Sequence, residues 1–430
     1  MKESNLIIEE KKPLVVVLSR SYTPALGVIY GLGKAGFSIE LVYIASQKGD
    51  SVIASCSKYV KKTIEHIGKD TESIVELLVK EYKSRTEQLV LFPTDDFTTS
   101  VIDSNSDKLS SIFKMPHVRG NCEGLIVNLM SKDVQLSLAK KKKLRTPQTL
   151  NVYLPKDGEI IIPNEIRYPC FLKPAKSIEG RKREMKRCDT QAELFSALKK
   201  MRDTRSERIV LIQDYLNDID EYLIPGVAFD SEVYIPSLLR RIYVGQFHRG
   251  VTIVGEVCNI DMLGEMADYL RAFVRELHFT GLFSFDLVKS GDDFYFSEIN
   301  LRCPGTIYAL PGIGINLPVM AVEAIMGKHL RIPLNDIRFG ERFLYERVAW
   351  DEYFNGYRSE RDLKSYYKIA NFNLIENSFD PKPGMEFKKA MLNKKRALLR
   401  TRRKEWIKAK FSILLPFYRV LRNLMSGKNE

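Results

Sequence analysis

The ten residues FSEINLRCPG, Phe296–Gly305, decide how this chain folds. Written as a β-strand, they put Glu298, Asn300 and Arg302 on one face, because strand side chains alternate with period two. Ile299 and Leu301 fall on the other face, where burial suits them. One short strand thus presents an acid, an amide and a guanidinium in single file before Pro304-Gly305 breaks it.

Upstream, LFSFDLV (Leu282–Val288) alternates in the same way, and a turn around Gly291 joins the two segments into a hairpin. A loop of Gly291-Asp292-Asp293 pairs Ser290 with Phe294 and brings Asp286 opposite Glu298. Directly opposed residues have Cβ atoms about 4.5–5.5 Å apart, so the two carboxylates repel unless a cation sits between them. With Asn300 added, the oxygens form a hard-ligand set suited to Mg²⁺ and not to zinc. Mg²⁺ takes one or two carboxylates and completes its shell with water and phosphate oxygens. Arg302, one pleat further, faces a transferring phosphoryl group or the anion formed from it.

Other segments supply cations and a nucleotide slot. FLKPAK places Lys173 in an apolar strand, on the face of Phe171, where an ammonium calls for an anionic partner. IVLIQDYL (Ile209–Leu216) has the character of a hinge whose backbone groups and apolar walls suit an adenine edge. Asp220 or Glu221, just beyond it, suits ribose hydroxyls. SKDVQLSLAKKKKL is a helix with Lys132 near its start and a solvated end at Lys140–Lys143.

The N-terminal region alternates strand and helix: LVVVLS, a SYTP loop, a helix from Ala25 to Lys34, then FSIELVYI. This is the βαβ opening of a doubly wound domain. GLGKAG (Gly31–Gly36) satisfies the pattern GxGxxG but falls at the helix end, so Gly36 reads as a C-cap and not as part of a dinucleotide site. A helix over Thr71–Ser84 and the strand LVLFP continue the alternation. Thr94, Asp95 and Asp96 after that strand either touch a substrate or cap the next helix. From Asn151 the texture changes to short strands and turns with a helix near Gln191–Arg202. Further strands follow, with a helix near Leu263–Leu277.

At 430 residues, the chain exceeds a single typical core and divides into domains. Its charge is concentrated: Lys388–Glu430 holds 14 Lys or Arg against Glu405 and Glu430, so +12 of the net +13 sits there. A near-neutral body argues against nucleic-acid binding. The N-terminus has no secretory signal, and no stretch approaches the roughly 18–20 apolar residues needed to cross a bilayer. The six cysteines (Cys56, Cys122, Cys170, Cys188, Cys258, Cys303) contain no CxxC pair, which fits a reduced cytosolic protein without zinc or disulfides. After an Asp380-Pro-Lys-Pro-Gly turn comes a long basic helix. Its residues 388–425 interleave Lys and Arg with aromatic and apolar side chains, a pattern suited to the anionic inner face of a membrane. Docking on the body or on a partner protein is the alternative.

Taken in order, SKD with Lys132, FLKPA with Lys173, LIQDYL with Gln213, FSFDLV with Asp286 and SEINLR with Glu298, Asn300 and Arg302 resemble the ATP-grasp superfamily, specifically its carboxylate–amine ligase branch. The resemblance covers roughly residues 13–345. It implies an α/β and α+β multidomain protein: a doubly wound βαβ domain at 13–118, linker helices and an ATP-grasp lid at 119–216, and a magnesium-bearing subdomain at 217–345. An extension with the basic tail occupies 346–430. It further implies a cytoplasmic ligase that uses ATP and two Mg²⁺ ions, or Mn²⁺ in their place, to join a small carboxylate to an amine through an acyl phosphate. Lys132 and Lys173 would contact phosphates, and Gln213, Asp214, Tyr215 and Leu216 would line the adenine pocket. Asp220 or Glu221 would hold ribose, and Asp286, Glu298 and Asn300 would carry the metal. Arg302 would stabilise the acyl phosphate. Substrate selection is expected from Arg240, Arg241, His248 or Arg249 and from the loop beginning Pro304, Gly305, Thr306. A homodimer is compatible with this reading. One departure stands out: the loop AKSIEGRKREMKR has Gly180 alone among many cations, where the family has a glycine-rich flap over the phosphates. The rival readings are a nucleotide-binding module that tethers partners through its tail, and a carboxylate–thiol ligase.

Overall fold

A computed structural model describes residues 11–120, 123–175, 185–204, 209–248, 250–333 and 337–425, with the backbone alone at 204, at 402 and beyond 406. Strands β1 (Leu14–Ser19), β2 (Ser38–Ala45), β3 (Val60–Ile67) and β4 (Leu89–Pro93) form a parallel sheet in the order β3-β2-β1-β4. β1 and β4 are buried throughout, as their unbroken apolar runs require of parallel strands covered on both faces. Helices α1 (Tyr22–Lys34) and α2 (Thr71–Tyr82) lie in the β1–β2 and β3–β4 crossovers, and α3 (Asp96–Asp103) follows β4. α1 begins three residues before the expected Ala25, with Pro24 in its first turn, where its missing N–H costs no hydrogen bond. Gly36 sits at φ +77° just past the end of α1, and a Cβ on Gly33 would lie 2.3 Å from the Tyr59 ring. The glycine pattern therefore serves capping and close packing.

After β5 (His117–Val118) and α4 (Lys132–Lys141), strands β6 (Thr149–Tyr153), β7 (Cys170–Pro174), β8 (Lys186–Cys188) and β9 (Ile209–Asp214) form an antiparallel sheet in the order β6-β9-β7-β8. Helix α5 (Gln191–Thr204) joins it, and Leu172, Leu194, Leu198, Val210 and Ile212 make its separate core.

The largest sheet has nine strands: β5, β10 (Ile219–Phe229), β11 (Glu232–Tyr234), β12 (Ser237–Val244), β13 (Thr252–Asn259), β14 (Phe279–Ser290), β15 (Asp293–Asn300), β16 (Arg342–Leu344) and β17 (Phe372–Asn373). One face carries Tyr222, Ile224, Phe283, Phe285, Leu287 and Ile299 against Leu270, Phe273, Val274 and Leu277 of α6 (Met266–Leu277). Each such fully buried side chain contributes about 1.5–3 kcal/mol of transfer free energy. That face holds the sheet rigid; the other bears the polar residues.

The hairpin differs from expectation in a way that preserves its outcome. Its loop is the two residues Gly291-Asp292, with Ser290 paired to Asp293 and Leu287 to Phe296. Continued without a break, that register would oppose Asp286 to Ser297. A β-bulge at Ser297 absorbs one residue and restores Asp286 opposite Glu298. It also breaks the alternation, so Phe296 enters the core while Glu298 turns to the opposite face.

Beyond α7 (Leu317–Ile325), α8 (Glu346–Phe354) and α9 (Glu360–Ile369), the chain ends in α10 (Pro381–Met425), about 68 Å long at the helical rise per residue. The expected turn at Asp380-Pro-Lys-Pro-Gly is the start of this helix, with proline at its first position. Asp380 is buried and accepts a 2.5 Å hydrogen bond from the Ser57 hydroxyl. Phe387 is fully buried against the N-terminal unit, and Lys394 and Lys395 pair with Asp351 and Glu360. The first half of the tail is therefore docked on the body. Among the described residues no single helix is long and apolar enough to cross a membrane.

Candidate active site

The polar face of the large sheet gathers the predicted residues by strand register. Leu223 of β10 lies opposite Asp286 of β14, which lies opposite Glu298 of β15, and Ser284 lies opposite Asn300. The Asn300 amide donates to Asp286 Oδ1 at 3.2 Å, and Arg302 Nη2 donates to Asn300 Oδ1 at 3.4 Å. Glu298, Asn300 and Arg302 thus stand in file as the alternation predicts, and Ile299 and Leu301 are buried behind them.

Cations close around the two carboxylates. Lys132, at the first position of α4, is 3% exposed and reaches Glu298 at 3.0 Å. Arg241 of β12 spans Glu221 at 2.7 Å and Asp286 at 3.3 Å. Burial works against its charge, but Asp286 and then Glu221 outweigh that and hold the guanidinium more firmly protonated than usual. Lys173 of β7 is buried; desolvation first, and the Lys132 cation second, pull its ammonium down to about 8. Two lysines thus cluster beside two acids, an arrangement suited to holding phosphate and a metal ion together.

Two chambers meet at this acid pair. The first, about 400 Å³, runs between the small and large sheets and is lined by Phe171, Lys173, Gln213, Asp214, Tyr215, Leu216, Ile219 and Glu221. The second, about 430 Å³, opens toward the N-terminal sheet and is lined by Ser21, Thr94, Asp95, Asp96, Asn300, Arg302, Gly305, Thr306 and Tyr345. Lys132, Arg241, Asp286 and Glu298 border both. Both volumes fall in the usual range for small-molecule sites of about 300–1,000 Å³.

Gln213 donates to the Thr149 hydroxyl at 2.7 Å, Asp214 pairs with Arg167 at 3.0 Å, and Tyr215 lies under the Arg187 guanidinium, 4.5 Å from the ring centroid. The two acids beyond the hinge separate: Glu221 lines the first chamber, whereas Asp220 pairs with Arg240 at 3.0 Å on the opposite face and lines neither. Strand alternation makes that division unavoidable. Arg240 is accordingly outside the site and Arg241 inside it. His248 binds Asp351 at 3.0 Å, a structural role. Arg249 and most of the cationic loop, 176–184, lie outside the described residues. Of the loop Pro304–Asn316, only Pro304, Gly305 and Thr306 reach the second chamber, while Ile307–Leu310 and Ile313 are core.

Asp95 and Asp96 divide their tasks. Asp95 caps α3 by accepting from the Thr98 N–H at 2.9 Å, and Asp96 Oδ1 accepts from Arg302 Nε at 2.5 Å. Burial opposes the charge of Arg302, but Asp96 overcomes it and the guanidinium is held more firmly charged than usual. That pairing, across 206 positions of sequence, carried no local signal. Neither did Gln135, whose buried amide donates to Ile299 O at 2.8 Å and accepts from Ile299 N at 3.0 Å.

The donor set fits Mg²⁺: two facing carboxylates with an amide oxygen beside them, all hard ligands. Among the described residues there is no group of three His, Cys, Asp or Glu that could hold a metal by itself. Such a site needs oxygens from phosphate and water, as Mg²⁺ sites commonly do.

No protein-family model matches the chain. It is 25% identical over 194 residues to the carbamoyl phosphate synthase large chain of Methanosarcina barkeri, a match covering 44% of this chain and 48% of that protein. The crystal structure of an L-amino acid ligase from Bacillus licheniformis superposes with a TM-score of 0.55 at 13% identity, over 73% of this chain and 75% of the other. The biotin carboxylase domain dimer of Hydrogenobacter thermophilus 2-oxoglutarate carboxylase, crystallised with MgADP, ADP and bicarbonate, gives 0.60 at 17% identity, over 77% and 74%. The chain thus spans half or less of the length of the curated relatives it matches, and at these identities the structural likenesses establish architecture. An N-terminal parallel sheet followed by a four-stranded antiparallel sheet and a large, mainly antiparallel one, with distant sequence kinship beside them, gives the chain the ATP-grasp fold.

Proposed function

We propose that the protein is an ATP-dependent ligase that activates a small carboxylate as its acyl phosphate and passes the acyl group to an amine. The observation that carries this reading is the meeting of two chambers at one acid pair, with Lys173 on the first side, Arg302 on the second and Lys132 between them. In it, Gln213 to Leu216 and Phe171 enclose the adenine, Glu221 takes the ribose, and Lys132 and Lys173 neutralise the phosphates. Asp286, Glu298 and Asn300 hold magnesium, which when bound draws charge from the phosphate oxygens. A substrate carboxylate in the second chamber attacks the γ-phosphorus, the bond to the β-phosphate oxygen breaks, and ADP leaves. The amine then attacks the acyl carbon, phosphate departs, and the nitrogen gives up a proton. Arg302, fixed by Asp96, stabilises the anionic acyl phosphate. Positioning and charge neutralisation carry most of such a barrier reduction. The L-amino acid ligase likeness supports this class of chemistry, and the likeness to a biotin carboxylase domain crystallised with MgADP supports an adenine nucleotide.

The proposed setting is the cytoplasm, with the basic residues 388–425 bringing the enzyme to an anionic membrane surface. The decisive experiment follows ADP release over a panel of carboxylates with hydroxylamine present. Hydroxylamine intercepts an acyl phosphate as a hydroxamate whatever the natural amine is. Wild type should form ADP and hydroxamate in equal amounts with at least one acid, and Glu298→Gln neither. A wild-type protein that binds ATP yet forms no ADP with any acid sinks the ligase reading.

A further inference from the structure

Helix α10 has two unlike sides. Phe387, Met391 and Leu398 pack toward the body. On the outer side, the large apolar side chains exposed among the described residues are Met385, Leu392, Leu399 and Trp406, at 66%, 44%, 51% and 58%. They recur every seven residues, which keeps them on one line along the helix with a drift of about 20° per heptad.

What surrounds the line is uniform. Residues three and four apart are neighbours on a helix surface. Around Leu392 these are Lys388, Lys389, Lys395 and Arg396; around Leu399 they are Lys395, Arg396, Arg402 and Arg403. Some of these cations meet acids of the same chain, Lys388 with Glu376 and Lys395 with Glu360, but the strip as a whole keeps a large positive excess. An apolar line of that width alone would pair with a second helix. Here a second copy would set Lys and Arg against Lys and Arg along the whole seam. A surface of anionic lipid satisfies both features, taking the apolar side chains at the acyl boundary and the cations at the phosphates.

We infer that this outer line, Met385 to Trp406, is a docking strip for an anionic lipid surface, beginning where the helix is still mounted on the body. The inference rests on the membrane role proposed for the tail but moves the contact toward the enzyme. Lys394 is held by Asp351 at 3.2 Å and Lys395 by Glu360 at 3.1 Å, so the strip is rigidly joined to α8 and α9. Docking through it fixes the orientation of the body on the surface, which a contact at the far end of the helix would not.

The test is sedimentation of the full-length chain with phosphatidylcholine vesicles, with and without phosphatidylglycerol. Wild type should pellet with the anionic vesicles alone. Leu392→Glu/Leu399→Glu should lose at least about tenfold in bound fraction, with unchanged thermal stability and vesicle-free ADP release. The charge variant Lys389→Gln/Arg396→Gln/Arg403→Gln should fall likewise without touching an apolar contact. Should both variants pellet like wild type while Leu414→Glu/Leu421→Glu does not, the body-mounted strip is wrong and the tail's membrane role survives. Wild type that pellets with neither vesicle overturns both. A dimer in vesicle-free solution that Leu392→Glu/Leu399→Glu converts to monomer would make the strip a protein interface instead.

Discussion

The side-chain amide of Gln135 pairs with both backbone groups of Ile299, at 2.8 and 3.0 Å, and Ile299 lies between Glu298 and Asn300. β15 is the edge of the large sheet, so its outer backbone groups have no neighbouring strand at this point. Helix α4 supplies the missing partner through Gln135 and, three residues earlier, sends Lys132 to Glu298. One helix thus holds both the strand and the charge of the candidate metal site.

Gln135→Met keeps the side-chain volume and removes both hydrogen bonds, leaving a buried N–H and C=O unpaired at a cost of about 1–3 kcal/mol. The Glu298 and Asn300 oxygens lose their fixed spacing, and outer partners of metal ligands are typically worth about 10–100-fold in metal affinity. The expected outcome is a lowered melting temperature together with a weakened Mn²⁺ signal by electron paramagnetic resonance. Unaltered Mn²⁺ affinity in a folded variant would assign Gln135 to stability alone.

How far the sequence carried this picture depended on the range of each interaction. Glu298, Asn300 and Arg302 were legible because strand alternation is local, and Lys173 because an ammonium in an apolar strand needs a reason. The bulge at Ser297 was not legible: loop length and bulge compensate, so the opposed acids came out right from a register that was one residue off. Asp96 and Gln135 depend on contacts 206 and 164 residues away, which no window of sequence displays. β3, VKKTIEHI, is half-buried and charged and lacks the apolar run that marks its neighbours. The choice between Asp220 and Glu221 required the sheet's faces, known only once β10 was seated between β12 and β14.

Asp96 and Arg302 meet at 2.5 Å at the edge of the second chamber. Removing the acid leaves a largely buried guanidinium without its fixed orientation, and breaking such pairs costs about 3–5 kcal/mol where burial is complete. Asp96→Asn is expected to lower kcat by roughly tenfold or more, with the KM for ATP within about twofold of wild type, because Arg302 lines the second chamber and not the first, the proposed nucleotide chamber. Asp96→Glu should recover part of the loss. Steady-state kinetics at saturating acid checks the split, and a matching rise in the KM for ATP contradicts the assigned role.

Lys173 sheds its proton near pH 8 in the free protein, chiefly through desolvation. Anionic phosphates favour the ammonium, so the bound form keeps its proton to higher pH. Below about 8 the charge is already present and affinity is flat; above it, each binding event must take up a proton, and affinity falls by up to about tenfold per pH unit. Calorimetry of ATP binding at pH 8.5 in two buffers of different ionisation enthalpy should reveal net proton uptake. Lys173→Met should bind more weakly and lose that uptake.

Glu346 is fully buried in α8, and its carboxylate accepts N–H bonds from Ile375 at 2.8 Å and Glu376 at 3.0 Å. Those bonds favour the ionised form, yet burial outweighs them and pushes the carboxyl up to about 7. The unfolded chain ionises the same group near the ordinary value of 4.5. The folded protein therefore binds more protons between about 4.5 and 7, so this group's contribution is fully present below 4.5 and is lost as pH rises through 7. The span corresponds to a contribution on the order of 3 kcal/mol. Glu346→Gln cannot ionise and retains an oxygen for the same N–H donors. Its melting temperature should vary less than that of wild type between about pH 4 and about pH 7.5, values bracketing the titration window. Parallel melting curves for the two proteins across that interval would mean that Glu346 ionises alike folded and unfolded, and that the loop from Leu374 to Glu376 is held without a proton.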